Sequence, residues 1–171
     1  HPLPVTTITS ATGPDCELHS KSFQTPADPG SSFNWSVSPS SRGTVSTGQG
    51  TSNVSVDWLT AGAATIAVTG TNNTTGCNSS STFPLTVNPS PKPSFTACFD
   101  VVTTPGARKF VLRGATPWVP GSGVFSGNRV SYNTANSQYE FDPSGAPAGS
   151  YPVTYTYTNT YGCDAAASPV T

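Results

Sequence analysis

The sequence predicts an all-β protein built from two tandem β-sandwich modules, and three observations support this. Ser and Thr make up about 29% of the chain and charged residues only 9%, a balance that suits exposed sheet better than helix. Tyr151–Thr158 alternates, with Val and Tyr side chains on one face and mostly Thr on the other, as in a half-buried strand. This strand, its turn and Cys163 then repeat the order of Thr65–Cys77, which indicates a duplicated unit.

The length fits two modules of about 85 residues each, near the usual size of a two-sheet sandwich. Three prolines in residues 89–93 favour an extended backbone, so we predict a short, semi-rigid linker there. The predicted modules are then residues 1–88 and 94–171. Three Trp, six Tyr and eight Phe argue against a disordered chain. Because the sequence stops within an apparent last strand, we expect it to be part of a longer protein.

In the first module, apolar alternation predicts five main strands around a loop at Thr25–Ser32 and a turn or bulge at Gly48–Thr51. Trp35 is predicted to fill the core, since a sandwich of this size needs a large aromatic residue. The predicted strands are Leu3–Ser10, Glu17–Gln24, Phe33–Val37, Val54–Trp58 and Ala63–Gly70, with Phe83–Val87 closing the module.

In the second module, the same reasoning predicts a strand at Phe95–Val102 that carries Cys98, short segments in the middle, and a closing hairpin after Tyr151–Thr158. The middle segments are Phe110–Arg113, Val124–Gly127, Val130–Tyr132 and Tyr139–Pro143. We expect the Tyr face of the last strand to line the core. Its Thr face, formed by Thr154, Thr156 and Thr158, is predicted to meet solvent, and a flat ligand such as ice or a polysaccharide is the alternative.

Four cysteines allow three disulfide connectivities. Pairing within modules, Cys16 with Cys77 and Cys98 with Cys163, encloses similar separations of 61 (from 16 to 77) and 65 (from 98 to 163), as a duplicated unit predicts. Zinc is a weak alternative, because no two cysteines have a short C-x-x-C type of spacing. Disulfides predict an oxidising, extracellular environment.

The charge pattern argues against nucleic acid and anionic membranes as partners. The net charge is −1, and alternation places Arg108 and Lys109 on opposite faces of an extended chain, so no basic face forms. No apolar run approaches the length of a membrane span, and no secretion signal stands at the N-terminus.

No residue pattern predicts an active site, so we expect a protein that is not an enzyme and needs no cofactor. Asp15 and Glu17, two apart, are weak candidates for calcium, because they lack the acidic loop that calcium usually requires. Glu140 and Asp142 also lie two apart, which a solvated strand face explains better than a carboxylate pair for sugar chemistry.

Two tryptophans are candidate ligand-binding residues. Trp118 stands between prolines in a Gly-rich loop, where a ring can bind a sugar face or a protein at little entropic cost. Trp58 ends a predicted strand. For both residues, capping the end of the sandwich is the more ordinary explanation.

Residues 1–88 resemble the PKD-like modules repeated in large secreted Bacteroidetes proteins, including gliding-motility adhesins of the type IX secretion system. The resemblance rests on Gly13-Pro14…Cys16, Phe33-x-Trp35-x-Val37, Gly48-Gln49-Gly50-Thr51, Val54-x-Val56-x-Trp58 and Gly76-Cys77. One departure is Asp57 with Leu59-Thr60 around Trp58, where a smaller, Gly-containing turn is expected. Residues 95–163 are similar to an Ig-like unit that accompanies the first. That second resemblance rests on Leu112-x-Gly114-Ala115-Thr116-Pro117, Phe125-Ser126-Gly127, Phe141-x-Pro143, Ala148-Gly149-x-Tyr151 and Gly162-Cys163.

The resemblance implies a non-catalytic repeat segment of a secreted cell-surface adhesin, which acts as a disulfide-stapled spacer with a weak binding surface. Its implied partners are neighbouring repeats of the same chain, a surface polysaccharide or another surface protein. The alternative is an accessory carbohydrate-binding or spacer module of a secreted polysaccharide-degrading enzyme. Many weak contacts repeated along an adhesin can add up to firm attachment.

Overall fold

A computed structural model of the protein describes residues 3–96, 103–104, 106–117 and 122–168. These residues form fifteen β-strands and no helix, which confirms the predicted all-β class. The chain divides into two compact units, His1–Ser90 and Pro91–Thr171, and the division falls inside the proline-rich segment.

The first unit is a sandwich of two antiparallel sheets. One sheet has the strand order β1-β2-β5-β4 and the other β3-β6-β7. The strands are β1 (Thr9–Ser10), β2 (Ser20–Gln24), β3 (Ser31–Ser38), β4 (Gly43–Thr47), β5 (Asn53–Trp58), β6 (Gly62–Asn72) and β7 (Asn78–Val87). The inward side chains of both sheets form one core around Phe23, Trp35, Val56, Trp58 and Ile66. Trp35 is only 2% exposed, so its predicted place in the core is confirmed.

Two predicted strands of the first unit are shorter than expected, for different reasons. The segment before β1 alternates between buried and exposed side chains but joins no sheet. Side-chain hydrogen bonds hold it instead, such as the one from the Thr25 hydroxyl to the Val5 carbonyl at 3.0 Å. Its alternation therefore reports burial and not strand pairing. Strand β2 begins only at Ser20, because Leu18 has a φ of 64° and interrupts the extended backbone.

The described residues of the second unit form three small antiparallel sheets, ordered β10-β8, β11-β14-β15 and β12-β13-β9. Their strands are β8 (Ser94–Phe95), β9 (Phe110–Val111), β10 (Ala115–Thr116), β11 (Gly123–Ser126), β12 (Val130–Asn133), β13 (Gln138–Phe141), β14 (Thr154–Thr158) and β15 (Asp164–Ala166). Of the strand predicted over Phe95–Val102, residues 97–102 lie outside the described part. Strand β14 begins later than predicted, since Pro152 has no N–H to add to a ladder.

Tyr155 is the centre of the second core. It is fully buried and packs against Phe125 with ring centroids 4.8 Å apart. A Cβ on Gly123 would lie 2.0 Å from the Tyr155 hydroxyl, so only glycine fits beside this ring. As predicted, the Tyr face of β14 points inward, with Tyr155 buried and Tyr157 half-buried. The turn after β14 also forms where predicted and leads through Cys163 into β15.

The predicted Cys16–Cys77 disulfide is wrong. The backbone of Cys16 pairs with that of Asn88, just past the end of β7. Cys77, in contrast, immediately precedes the start of that ten-residue strand. A strand of this length spans about 33 Å, far beyond the Cα separation of about 7 Å that a disulfide tolerates. Cys77 is exposed and free, so no disulfide closes within the first unit.

Cys16 and Cys163 are both disulfide-bonded. Both are buried, at 5% and 0% exposure, which protects them from reductants. Cys98 lies outside the described residues. Because Cys77 is free while Cys16 and Cys163 are both bonded, a Cys98–Cys163 bond would leave Cys16 no cysteine to pair with, so that predicted pairing is also wrong. A disulfide is compatible with an extracellular protein, because the cytosol keeps thiols reduced.

Candidate functional site

The outer face of the β3-β6-β7 sheet is a continuous, uncharged surface of the first unit. Alternation along the three strands turns one set of side chains to solvent, and none of them is charged. We call this set the hydroxyl face. It consists of Ser32, Asn34, Ser36, Ser38, Ala63, Thr65, Ala67, Thr69, Thr71, Asn78, Ser80, Thr82, Pro84 and Thr86.

The sheet register arranges the hydroxyl face as a grid. Asn34 lies opposite Thr69, and Thr69 lies opposite Ser80, so each row crosses all three strands. Rows are about 6.7 Å apart along the strands and columns about 4.8 Å apart between them. The Thr69 and Ser80 hydroxyls are hydrogen-bonded at 2.9 Å. Such a grid offers regularly spaced hydroxyl donors and acceptors but no acid, base or nucleophile pair.

Strand β3 is one edge of this face, and the Gly48–Thr51 segment covers it. Phe33 and Gly50 exchange two backbone hydrogen bonds, of 3.2 and 2.9 Å. The Gln49 side chain continues the pairing, because its carbonyl accepts from the Trp35 N–H at 2.7 Å and its amide donates to the Trp35 carbonyl at 2.9 Å. The segment therefore acts as a short replacement strand, which the sequence pattern did not reveal.

The covering segment depends on Gly48 and Trp35. Gly48 has a φ of 84°, and a Cβ there would lie 2.1 Å from the Asn53 carbonyl oxygen, so only glycine is compatible with this turn. At the other end, the indole N–H of Trp35 donates to the Thr51 carbonyl at 2.8 Å. A core residue thus anchors the segment to the sandwich.

Strand β7 is the opposite edge, and it is open. The Asn72 N–H donates to the Cys77 carbonyl at 2.9 Å. Because hydrogen-bonded pairs alternate along an antiparallel ladder, the backbone groups of the odd-numbered residues of β7 are the ones hydrogen-bonded to β6. The even-numbered residues from Asn78 to Thr86 therefore direct their backbone groups away from the sheet. In the described part of the chain, β7 pairs with β6 alone. Within the residues that the structure describes, another segment joins this edge only past the strand, at Asn88.

The segment that joins at Asn88 contains both calcium candidates. The Asn88 N–H donates to the Asp15 carbonyl at 2.7 Å, and the Glu17 N–H donates to the Asn88 carbonyl at 2.9 Å. The Asp15 carboxylate accepts from the Trp58 indole N–H at 3.2 Å. Burial raises the pKa of Asp15, and the nearby Lys21 ammonium lowers it in part. Lys21 is buried and donates to the Thr12 carbonyl at 3.1 Å.

This arrangement gives Asp15 a structural role at the end of the sandwich. Among the described residues, no group of three or more His, Cys, Asp or Glu side chains could hold a metal ion. Trp58 is 1% exposed, packs at right angles to Phe23 and donates to Asp15, so it cannot present its ring to a ligand. The prediction of Trp58 as a ligand-binding residue is therefore wrong.

Trp118 lies outside the described residues, but the segments on either side of it are described. The Tyr155 hydroxyl donates to the Pro117 carbonyl at 2.6 Å, and the Thr158 N–H donates to the Ser122 carbonyl at 2.9 Å. Burial raises the pKa of Tyr155, which keeps this hydroxyl a donor. Strand β14 thus holds the chain on both sides of residues 118–121.

The carboxylates of β13 and the residue after it are engaged locally. Glu140 accepts hydrogen bonds of 2.8 Å from Asn133 and Asn136, and these bonds lower its pKa. Bonds from Ser144 lower the pKa of Asp142, which also pairs with Lys109 at 3.2 Å. Both groups stabilise turns at the surface.

The Thr face of β14 is a smaller relative of the hydroxyl face. Thr154 and Thr156 are half-buried and Thr158 is exposed, as predicted for a solvent face. Its neighbour Val124, opposite Thr156, is 47% exposed. The three-strand sheet around β14 therefore presents a narrower and less polar surface than the first unit does.

No protein-family model matches the chain, and a search of the curated proteins finds no match. The described residues also contain no helix with the length and apolar character needed to cross a membrane.

Proposed function

We propose that this chain is a non-catalytic segment of a secreted cell-surface adhesin, in which the hydroxyl face makes weak contacts with a neutral, hydroxylated polymer. The observation that carries the proposal is the uncharged grid of the β3-β6-β7 sheet. Hydroxyl groups on protein and polysaccharide can exchange hydrogen bonds without the desolvation cost of charges.

The chemistry of the face also limits the mode of binding. The hydroxyl face has no aromatic residue, so it cannot stack on sugar rings as a deep carbohydrate site does. Each contact is therefore weak, and attachment depends on repetition along a longer chain. The disulfide-bonded Cys16 and Cys163 support an extracellular location, where such repetition serves surface attachment.

A pull-down of the full chain on insoluble neutral polysaccharides, such as cellulose, chitin and an α-glucan, tests the proposal. Ala67→Glu places a charge at the centre of the hydroxyl face, on β6. We expect it to reduce the bound fraction about tenfold, because the carboxylate would lose its hydration in the contact. The matched control is Ser22→Glu, which adds the same charge at an exposed position of the opposite sheet.

Binding that Ala67→Glu and Ser22→Glu reduce equally would contradict the role of the hydroxyl face, and absence of binding to any polymer would contradict the proposal. A second candidate function, an accessory carbohydrate-binding module of an enzyme, is favoured by the anchoring of residues on both sides of Trp118. A glycan array separates the two. Specific binding that Trp118→Ala abolishes and Ala67→Glu does not would favour the second candidate.

A further inference from the structure

We propose that β7 pairs with β7 of a second copy of this chain, as antiparallel neighbours across a two-fold axis. Strand β7 has ten residues, and its outward backbone groups from Asn78 to Thr86 have no partner in the described part of the chain. An unpaired row of N–H and C=O groups is a template for another strand. The proposal does not depend on the hydroxyl face binding a polymer.

The sequence of β7 favours a second copy as the occupant. The strand has no charged residue, so two copies can approach without repulsion, and its first half is Asn and Ser followed by Thr82. Edge strands that must not pair with another chain usually carry a charged residue or a β-bulge, and β7 has neither. Its one protective residue is Pro84, which leaves the first half of the strand unprotected.

Pro84 also selects the register. With the two-fold axis at Ser80, Ser80 faces its own copy and Asn78 faces Thr82 of the other chain. The two-fold axis repeats the Asn78–Thr82 pair, so three residue pairs each exchange two backbone hydrogen bonds, as hydrogen-bonded antiparallel pairs do. With the axis at Ser81 or at Thr82, Pro84 would face Asn78 or Ser80, respectively, and proline has no N–H to donate. The paired segment is therefore residues 78–82.

An apolar strip lies beside the same half of the strand. Thr6 is hydrogen-bonded to Ser81 at 2.9 Å, and Ser79 donates to the Pro4 carbonyl, so this segment runs along the inner side of β7. Its alternate residues Leu3 and Val5 point away from the core and are 59% and 53% exposed. A second sandwich placed across the two-fold axis would cover both side chains.

The pairing would join two three-stranded sheets into one six-stranded sheet. Residues that face each other in an antiparallel pair lie on the same side of the sheet, so both hydroxyl faces would form one surface. The dimer would therefore present the hydroxyl grid of both copies to a single partner.

Sedimentation velocity of the full chain over a wide range of concentrations tests the proposal. We expect a reversible dimer that Ser80→Pro weakens about tenfold or more, because proline removes N–H groups at the centre of the pairing. Ser80 lies opposite Thr69 in a pair whose backbone groups make no hydrogen bonds to each other. A proline at position 80 should therefore leave the hydrogen bonds between β6 and β7 intact, as the natural Pro84 does. The matched control is Thr86→Pro, which changes an outward residue beyond the paired segment and should leave the dimer intact.

A cross-link provides a second measurement that does not depend on how Ser80→Pro folds. In a Cys77→Ser background, Ser80→Cys should give a covalent dimer on mild oxidation, since facing residues in such pairs have Cα atoms about 5.5 Å apart. Thr86→Cys should not. Monomers at every concentration, a dimer that Ser80→Pro leaves unchanged, or equal cross-linking at positions 80 and 86 would each overturn the proposal.

Discussion

The two edges of the β3-β6-β7 sheet differ in how the chain treats their backbone groups. At β3, Gly50 and the Gln49 side chain satisfy Phe33 and Trp35. At β7, the described residues supply a partner only at Asn88, past the strand. An open edge exposes hydrogen-bonding groups that can recruit another strand, so proteins usually close or protect it. The closed edge therefore defines a boundary of the sandwich, and the open edge is where an interaction with another chain is expected.

Trp35→Ala should have the largest effect on the closed edge. Trp35 is buried and also anchors the covering segment through the Thr51 carbonyl, so its loss removes core packing and the anchor together. We expect the free energy of unfolding to fall by about 3–5 kcal/mol, measured by denaturant titration. Trp35→Phe keeps an aromatic filler and should cost clearly less. Equal losses for the two variants would show that the indole N–H and the full ring size account for the effect, and that an aromatic filler alone contributes little.

Gly48→Ala should have the next largest effect. The added Cβ would meet the Asn53 carbonyl oxygen in a backbone conformation with φ of 84°, so the turn that carries Gln49 must move. We expect a loss of about 2–3 kcal/mol from strain and displaced bonds. Gly30→Ala is the control, because Gly30 has a φ of 90° but a Cβ there would meet no atom within 4 Å. If the two variants lose the same stability, crowding at Gly48 is irrelevant.

Gln49→Ala should open the edge at β3 with little damage to the core. The variant leaves the Trp35 N–H and carbonyl without their side-chain partner, at a cost of about 1–2 kcal/mol. Hydrogen exchange measures this directly at the Trp35 amide. In the dilute wild-type protein this amide should exchange slowly, and the Ser80 and Thr82 amides of β7 quickly. In Gln49→Ala, the Trp35 amide should exchange nearly as fast as the Ser80 and Thr82 amides. A Trp35 amide that stays protected in this variant would show that Gln49 does not close the edge.

The sequence predicts this fold well where burial and pairing coincide. Phe33, Trp35 and Val37 alternate because β3 has one face in the core, and the structure has a strand there. The same logic fails for Leu3–Ser10, since side chains alternate in burial there while the backbone joins no sheet until Thr9. Alternation records which side chains are buried, and strand pairing requires a neighbour that the pattern does not specify.

The features of the candidate site were harder to predict, because they depend on contacts between distant residues. The grid needs the register of three strands, which brings Asn34 beside Thr69 and Ser80. The covering role of Gln49 depends on a side chain that mimics backbone groups, and no composition signal marks it. The disulfide prediction assumed that equal spacing means equal pairing, whereas the length of β7 separates Cys16 from Cys77.

The smallest predicted effect concerns Asp15, whose carbonyl closes the end of the β7 edge at Asn88. Burial raises the pKa of its carboxyl above the ordinary value of 3.8, so the folded state binds this proton more tightly than the unfolded state does. As pH rises from 3.8 through the higher pKa of the folded state, the contribution of Asp15 to stability falls. Above the folded pKa, the loss of stability stays constant.

Asp15→Asn removes this titration and keeps an oxygen that can accept from the Trp58 indole N–H. Relative to the wild type, the variant should gain stability as pH rises above 3.8 and passes the raised folded pKa, by less than about 1 kcal/mol because solvent screens a half-buried group. Denaturant unfolding at several pH values measures the difference. A relative loss that grows with pH would mean that attraction to Lys21 outweighs the burial of the carboxyl. In that case the charged Asp15, and not only its backbone carbonyl, would help to close the edge at Asn88.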